Sequence, residues 1–118
     1  MLKLILGKRG SKLTQEEIKE PFLRRVEHAI QQENYHSAIA FLSSAIELLP
    51  EDLSLYFQRG QIYQLGLRNY CSALKDYRFI LCFLQHDHSH PLYKECKSAM
   101  ISMMDDQTAP MKVSRFSI

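Results

Sequence analysis

The chain has no long hydrophobic run. No apolar stretch approaches the roughly 20 residues that a membrane helix needs. The opening Met1-Leu2-Lys3-Leu4-Ile5-Leu6 stops at Gly7, too short for the core of a signal peptide. No transmembrane segment is expected. Cysteine is scarce: Cys71, Cys82 and Cys96 form no C-x-x-C pair, and an odd, scattered set argues for reduced thiols and a cytosolic or nuclear setting, the expectation being cytoplasmic. Glycine is scarce too, with four in all, two of them flanking a basic patch, which leaves little room for a phosphate-cradling loop. Ser, His and Asp residues are scattered over polar turns, with no nucleophile motif. The expectation is a non-catalytic protein without a cofactor.

Excess charge is also missing. The net charge is +2, too small to imply nucleic acid. Its distribution is uneven. Residues 1–28 hold seven Lys/Arg against four Glu, and the rest hold eight against nine acids. The densest patch, Lys8-Arg9-Gly10-Ser11-Lys12, reads as a solvated lead-in. His86-x-His88-x-His90 with Asp87 has metal-ligand residue types, but alternate residues on a loop give no fixed tetrahedral set. No metal is expected there. At 118 residues the chain is one domain by size.

What the chain does contain is one pattern written twice. Tyr56, Gly60 and Tyr63 each follow Phe22, Val26 and Ala29 by 34 positions. Tyr70, Ala73, Tyr77 and Ile80 follow Tyr35, Ala38, Leu42 and Ala45 by 35. The phase changes once, so the second copy carries an extra residue near Leu65–Asn69. Self-similarity at this period marks a helical repeat, each copy a helix–turn–helix unable to bury its apolar face alone.

The helices follow from local signals. Thr14 with Glu17 forms a capping-box pattern, and Pro21 opens or kinks the helix behind it. The first repeat helix is read over about 21–32, with Phe22, Val26, Ala29 and Ile30 inward. A polar turn, Glu33-Asn34-Tyr35-His36, leads to a second helix ending at Pro50. The second copy starts at Leu53. Its mid-helix Gly60 costs roughly 1 kcal/mol in propensity and points to a helix packed directly against it. Arg25 and Arg59 match across the copies and suit a structural pairing, for example with Glu47 or Asp76. A fifth helix over 91–104 places Leu92, Cys96, Ala99 and Met103 on one stripe, starting 36 positions after the second copy. Residues 105–118 read as a flexible tail. Its last residues, Phe116-Ser117-Ile118, suit grooves that capture C-termini, and Arg115-Phe116-Ser117 has the form of a kinase site.

These positions resemble the tetratricopeptide repeat family. Tyr56-Phe57-Gln58-Arg59-Gly60-Gln61-Ile62-Tyr63, then Ala73, Tyr77 and Ile80, follow its aromatic–small–aromatic and Ala–aromatic pattern. The first copy departs with Val26 and Ala29 but keeps Tyr35, Ala38, Leu42, Ala45 and Pro50. The second lacks the closing Pro, with Gln85 instead. The resemblance implies an all-α fold: a short right-handed α-solenoid of two repeats, about 21–52 and 53–86, with a capping helix over 91–104. The lead-in is then 1–20.

The resemblance also implies a concave groove lined by the first helix of each repeat. Carried over, the lining residues are Leu23, Arg24, Glu27, Ile30 and Gln31, then Phe57, Gln58, Gln61, Gln64 and Leu65. Family members that clamp acidic chaperone tails carry Lys and Asn where this chain has Leu23 and Glu27, and Glu27 repels a carboxylate. The implied partner of this groove is a protein peptide or helix of modest charge, and the implied role is that of an adaptor or scaffold. The alternatives are a structural subunit held permanently in a larger assembly or a homodimer, because two repeats bury little core, and a piece or isoform of a longer repeat protein, because the third unit is incomplete.

Overall fold

The computed structural model describes residues 13–116, with side chains through Asp106. The basic patch at Lys8–Lys12 and the side chains of the last residues lie outside that description. Five α-helices occur among the described residues: α1 (Gln15–Gln31), α2 (Tyr35–Leu48), α3 (Leu53–Gln61), α4 (Tyr70–Phe83) and α5 (Pro91–Phe116). A π turn over Ile62–Gly66 prolongs α3. No strand occurs among the described residues, so the fold is all-α. Each helix packs on the next in chain order, α1 on α2, α2 on α3, α3 on α4 and α4 on α5.

The turn chemistry repeats as closely as the apolar pattern does. Glu33 and Arg68 both sit at φ 57°, the left-handed bend that lets a chain turn sharply out of a helix. Asn34 and Asn69 come next and cap the following helices. Their side-chain oxygens accept from Ser37 N at 3.3 Å and Ser72 N at 3.2 Å. The extra residue of the second copy is visible in the bond that closes each turn. Asn34 N donates to Ala29 O at 2.8 Å, whereas Asn69 N reaches back one residue further, to Tyr63 O at 2.7 Å. The helix absorbs the insertion by widening into the π turn, with Leu67 N donating to Ile62 O at 3.1 Å.

Two apolar clusters fill the space between the helices. The first gathers Val26 and Ala29 of α1, Ala38, Leu42 and Ala45 of α2, and Leu55 and Ile62 from the second copy. The second gathers Tyr56, Ala73, Tyr77 and Ile80 with Cys96 and Met103 of α5. Ile46 packs against both, so the two clusters form a continuous interior. The fully buried Ala38, Ala45 and Ala73 allow close helix approach. Gly60 does the same against Tyr77: a Cβ there would stand 2.7 Å from the ring. Gly66 plays this part in the π turn, where a Cβ would meet the Tyr35 ring at 2.7 Å.

Three boundaries differ from the sequence reading. Helix α1 begins at Gln15, inside the stretch read as lead-in, and runs straight through Pro21. The capping box sets that start. Thr14 Oγ1 accepts from Glu17 N at 3.1 Å, and Thr14 N donates to Glu17 Oε1 at 2.9 Å. The added turn is anchored, because Ile18 packs on the first cluster and Lys19 is buried against the start of α3. Lys19 Nζ lies 2.7 Å from Asp52 Oδ2 and 3.4 Å from Ser54 Oγ. Burial alone would raise the Asp52 carboxyl, but hydrogen bonds from Lys19 and Ser54 and the Lys19 charge outweigh it and hold the carboxyl below its ordinary range.

The second boundary is Tyr35, read as part of the turn and found as the first residue of α2. The third is the end of α5. The sequence places it at Met104, with a flexible tail beyond; the helix continues through Pro110 to Phe116. Contacts past Met104 hold its course, since Asp106 accepts hydrogen bonds from the Tyr70 hydroxyl and from Arg68 Nη1, the latter at 3.1 Å.

Candidate partner-binding groove

Four of the ten residues assigned to the groove meet around one hollow. Ile30 of α1 faces Gln58 and Gln61 of α3 and Leu65 of the π turn, with Tyr35 and Gly66 at the floor, enclosing about 320 Å³. Ile30 and Leu65 are exposed apolar side chains, Leu65 at 68%. The two glutamines supply amide donors and acceptors without charge. The hollow joins the two copies, because Ile30 comes from the first and the other three from the second.

The other six residues go elsewhere. Leu23 and Phe57 are half-buried and pack against the first and second clusters, and the Phe57 ring lies 5.7 Å from that of Tyr77. They belong to the rims of the core. Arg24 is exposed, and its Nε and Nη2 donate to Glu20 Oε1 at 3.1 and 2.7 Å. Glu27 and Gln31 are exposed on α1, away from the hollow. Gln64 corrects the reading. It is buried, and its Oε1 accepts from the Tyr77 hydroxyl at 2.7 Å. The π turn swings this glutamine inward, where it satisfies a hydroxyl that would otherwise be buried without a partner. Burial raises the Tyr77 hydroxyl well above the ordinary tyrosine range, so it stays a donor.

The matched arginines differ from one another. Arg59 pairs with Asp76, one of the two partners that the sequence suggested. Its Nε and Nη2 reach the two carboxylate oxygens at 2.9 and 2.7 Å, and its Nη1 donates to Ser43 Oγ of α2 at 3.0 Å. The fork geometry of a guanidinium suits such two-point capture. Arg25 has no hydrogen bond or ion pair among the described residues. It lines a second hollow, of about 540 Å³, with Arg24, His28, Ala29, Pro21 and Phe41. All its lining residues come from α1, α2 and the turn between them, so it lies apart from the hollow that joins the copies. The sequence reading missed it because it ranked the copies by their apolar positions.

The histidine loop does local work. His90 Nδ1 accepts from Leu92 N at 3.1 Å and so caps α5, and the His88 ring stacks on Tyr93 at 4.1 Å. Among the described residues, no group of three His, Cys, Asp or Glu is placed to hold a metal ion. No described helix is long and apolar enough to cross a membrane.

Comparison of the chain with protein-family models, with curated proteins and with solved structures gives no match.

Proposed function

We propose that this chain is a tetratricopeptide-like module, a short α-solenoid of two repeats and a capping helix, that acts in the cytoplasm as a non-catalytic adaptor. It binds a protein partner in the hollow between its repeats. The supporting observation is the convergence of Ile30, Gln58, Gln61 and Leu65 from two copies of one motif. Two exposed apolar side chains supply contact area, and two amides supply hydrogen bonds to a peptide backbone. The absence of charge on these four residues fits a peptide of modest charge, and the turn-by-turn repetition of caps and φ angles supports the family reading.

The test is capture of partners from cell extract by the wild type and by Ile30→Glu/Leu65→Glu. Both residues are exposed, so the variant should keep its helical signal and melting temperature. Loss of a specific captured protein in the variant alone supports the groove. Identical capture by both proteins would refute it.

A second reading, a structural subunit or a section of a longer repeat array, is favoured by the apolar side chains beyond the groove. Ile101 and Met104 on α5 are exposed at 56% and 64%. On α4, exposed Phe79 stacks on Tyr56 at 4.3 Å, with exposed Phe83 alongside at 6.2 Å. Broad apolar surface of this kind suits permanent burial. Sedimentation of the purified chain separates the readings: a stable monomer supports the adaptor, and obligate association supports the subunit.

A further inference from the structure

The two repeats carry an arginine at the same place and surround it differently. In the second copy Arg59 is held at two points by Asp76 and at a third by Ser43. Its counterpart Arg25 lies 34 positions earlier. The counterpart of Asp76, 35 positions earlier, is Phe41. A phenyl ring stands where the carboxylate should be. Arg25 is exposed and unpaired among the described residues, and it lines the hollow of about 540 Å³ together with that same Phe41.

We propose that this hollow binds an acidic peptide. One carboxylate takes on Arg25 the place that Asp76 holds on Arg59, and a neighbouring apolar side chain lies on Phe41, Ala29 and Pro21.

Three observations select this occupant. The first is charge. Arg25, Arg24 and His28 line the hollow and no acidic residue does. Arg24 is already engaged by Glu20, which leaves Arg25 as the lining guanidinium without a partner among the described residues. A guanidinium with a free fork prefers a planar two-oxygen partner, and a carboxylate matches it. The second is shape. The lining runs along α1 from Pro21 to Gln32, about 16 Å at the helical rise. That length takes about five residues of extended chain. The third excludes a nearby competitor. Residues 1–12 contain Lys3, Lys8, Arg9 and Lys12 and no acid, so the segment preceding α1 offers no side-chain carboxylate for Arg25. The proposal does not depend on the concave hollow, which shares no lining residue with this one.

The experiment is fluorescence anisotropy on the full chain, with a fluorescein-labelled peptide Gly-Glu-Leu-Asp-Phe-Glu-Gly as probe. A second peptide of the same length carries Lys for each acidic residue. The wild type should bind the acidic peptide and leave the basic one free, and affinity should fall as salt rises, because the site is exposed. Arg25→Glu should weaken binding at least about tenfold, the loss expected for a charge-assisted hydrogen bond. Arg25→Lys keeps the charge but not the fork and should fall between. Ile30→Glu/Leu65→Glu, on the other hollow, should bind like the wild type. Circular dichroism melts of each variant check the fold, and exposure of Arg25 predicts no change. The proposal is overturned by absence of binding to the wild type, by equal binding to Arg25→Glu, or by loss confined to the concave variant. Self-association of the wild type that Arg25→Glu abolishes, without peptide binding, would also overturn it and give this end to a second copy.

Discussion

Gly60→Ala should destabilise the protein, against the sign that helix propensity dictates. In an exposed helix the change gains about 1 kcal/mol. At this position the new methyl carbon would lie 2.7 Å from Tyr77 Cε1, with two further ring atoms at 3.1 Å. Contacts below 3 Å require movement, and the ring has little freedom to move. Tyr77 is fully buried, its hydroxyl is held by Gln64 at 2.7 Å, and the Phe57 ring lies 5.7 Å away. Overpacking of this kind costs about 1–3 kcal/mol. Moving the ring also strains a buried hydrogen bond worth about 1 kcal/mol. The two costs together exceed the propensity gain, leaving a net loss of about 1–3 kcal/mol. Urea denaturation followed by circular dichroism measures it, with Gln61→Ala, exposed on the neighbouring position, as a control expected within about 0.5 kcal/mol of wild type. The cause is tested by a double-mutant cycle with Tyr77→Leu, which removes the clashing ring atoms. Gly60→Ala in that background should recover most of its loss. A stabilising Gly60→Ala in the wild-type background would refute the close crossing of α3 and α4.

Two further outcomes follow from the buried polar and thiol groups. Asp52 has its carboxyl held below its usual 3.8, chiefly by Lys19 and Ser54 acting against burial. A lowered folded value gives stability that is present above the unfolded value and is lost as pH falls through the folded one. Urea midpoints should therefore drop below about pH 4, and Asp52→Asn should flatten that acid limb while lowering stability at pH 7. Cys96 is fully buried with its thiol pushed up to about 12 by burial, whereas Cys71 and Cys82 are exposed. A thiol-reactive chromophore at pH 8 should thus label two cysteines of the native protein quickly and the third only with denaturant; three fast thiols would remove Cys96 from the core.

Much of the helical framework is legible in the sequence because its causes are local. Apolar stripes at helical spacing, bounded by polar turns and prolines, place four of the five helix starts within a residue or two. The first was misplaced because Pro21 carries two meanings. It serves as a first-turn residue when a helix starts there, and it is also tolerated inside a helix whose neighbours are anchored. Lys19, buried against Asp52 at the N-cap of α3, supplies that anchor, and no local pattern announces a contact between residues 33 positions apart. The groove shows the same division. Ile30, Gln58, Gln61 and Leu65 fall together because helical period carries them to one face. Gln64 escapes because one inserted residue widens the helix into a π turn and rotates it inward.

The N-terminal hollow was harder to read for a different reason. Repeat alignment compares positions that are alike, and apolar positions are alike because both copies must bury a core. Positions that differ between the copies are free of that constraint. Phe41 and Asp76 are such a pair, and their difference has an electrostatic consequence that neither residue shows alone. With Asp76 beside it, Arg59 is three-quarters buried, its side chain 22% exposed, and its charge is raised in stability by the carboxylate bond. With Phe41 in that place, burial of Arg25 would leave a charge without a partner, a penalty of several kcal/mol. The first repeat therefore leaves its arginine at the surface and opens a hollow over the ring, while the second seals the same position with an ion pair. One difference at a matched site thus separates an arginine held in an ion pair from one left exposed beside a phenyl ring.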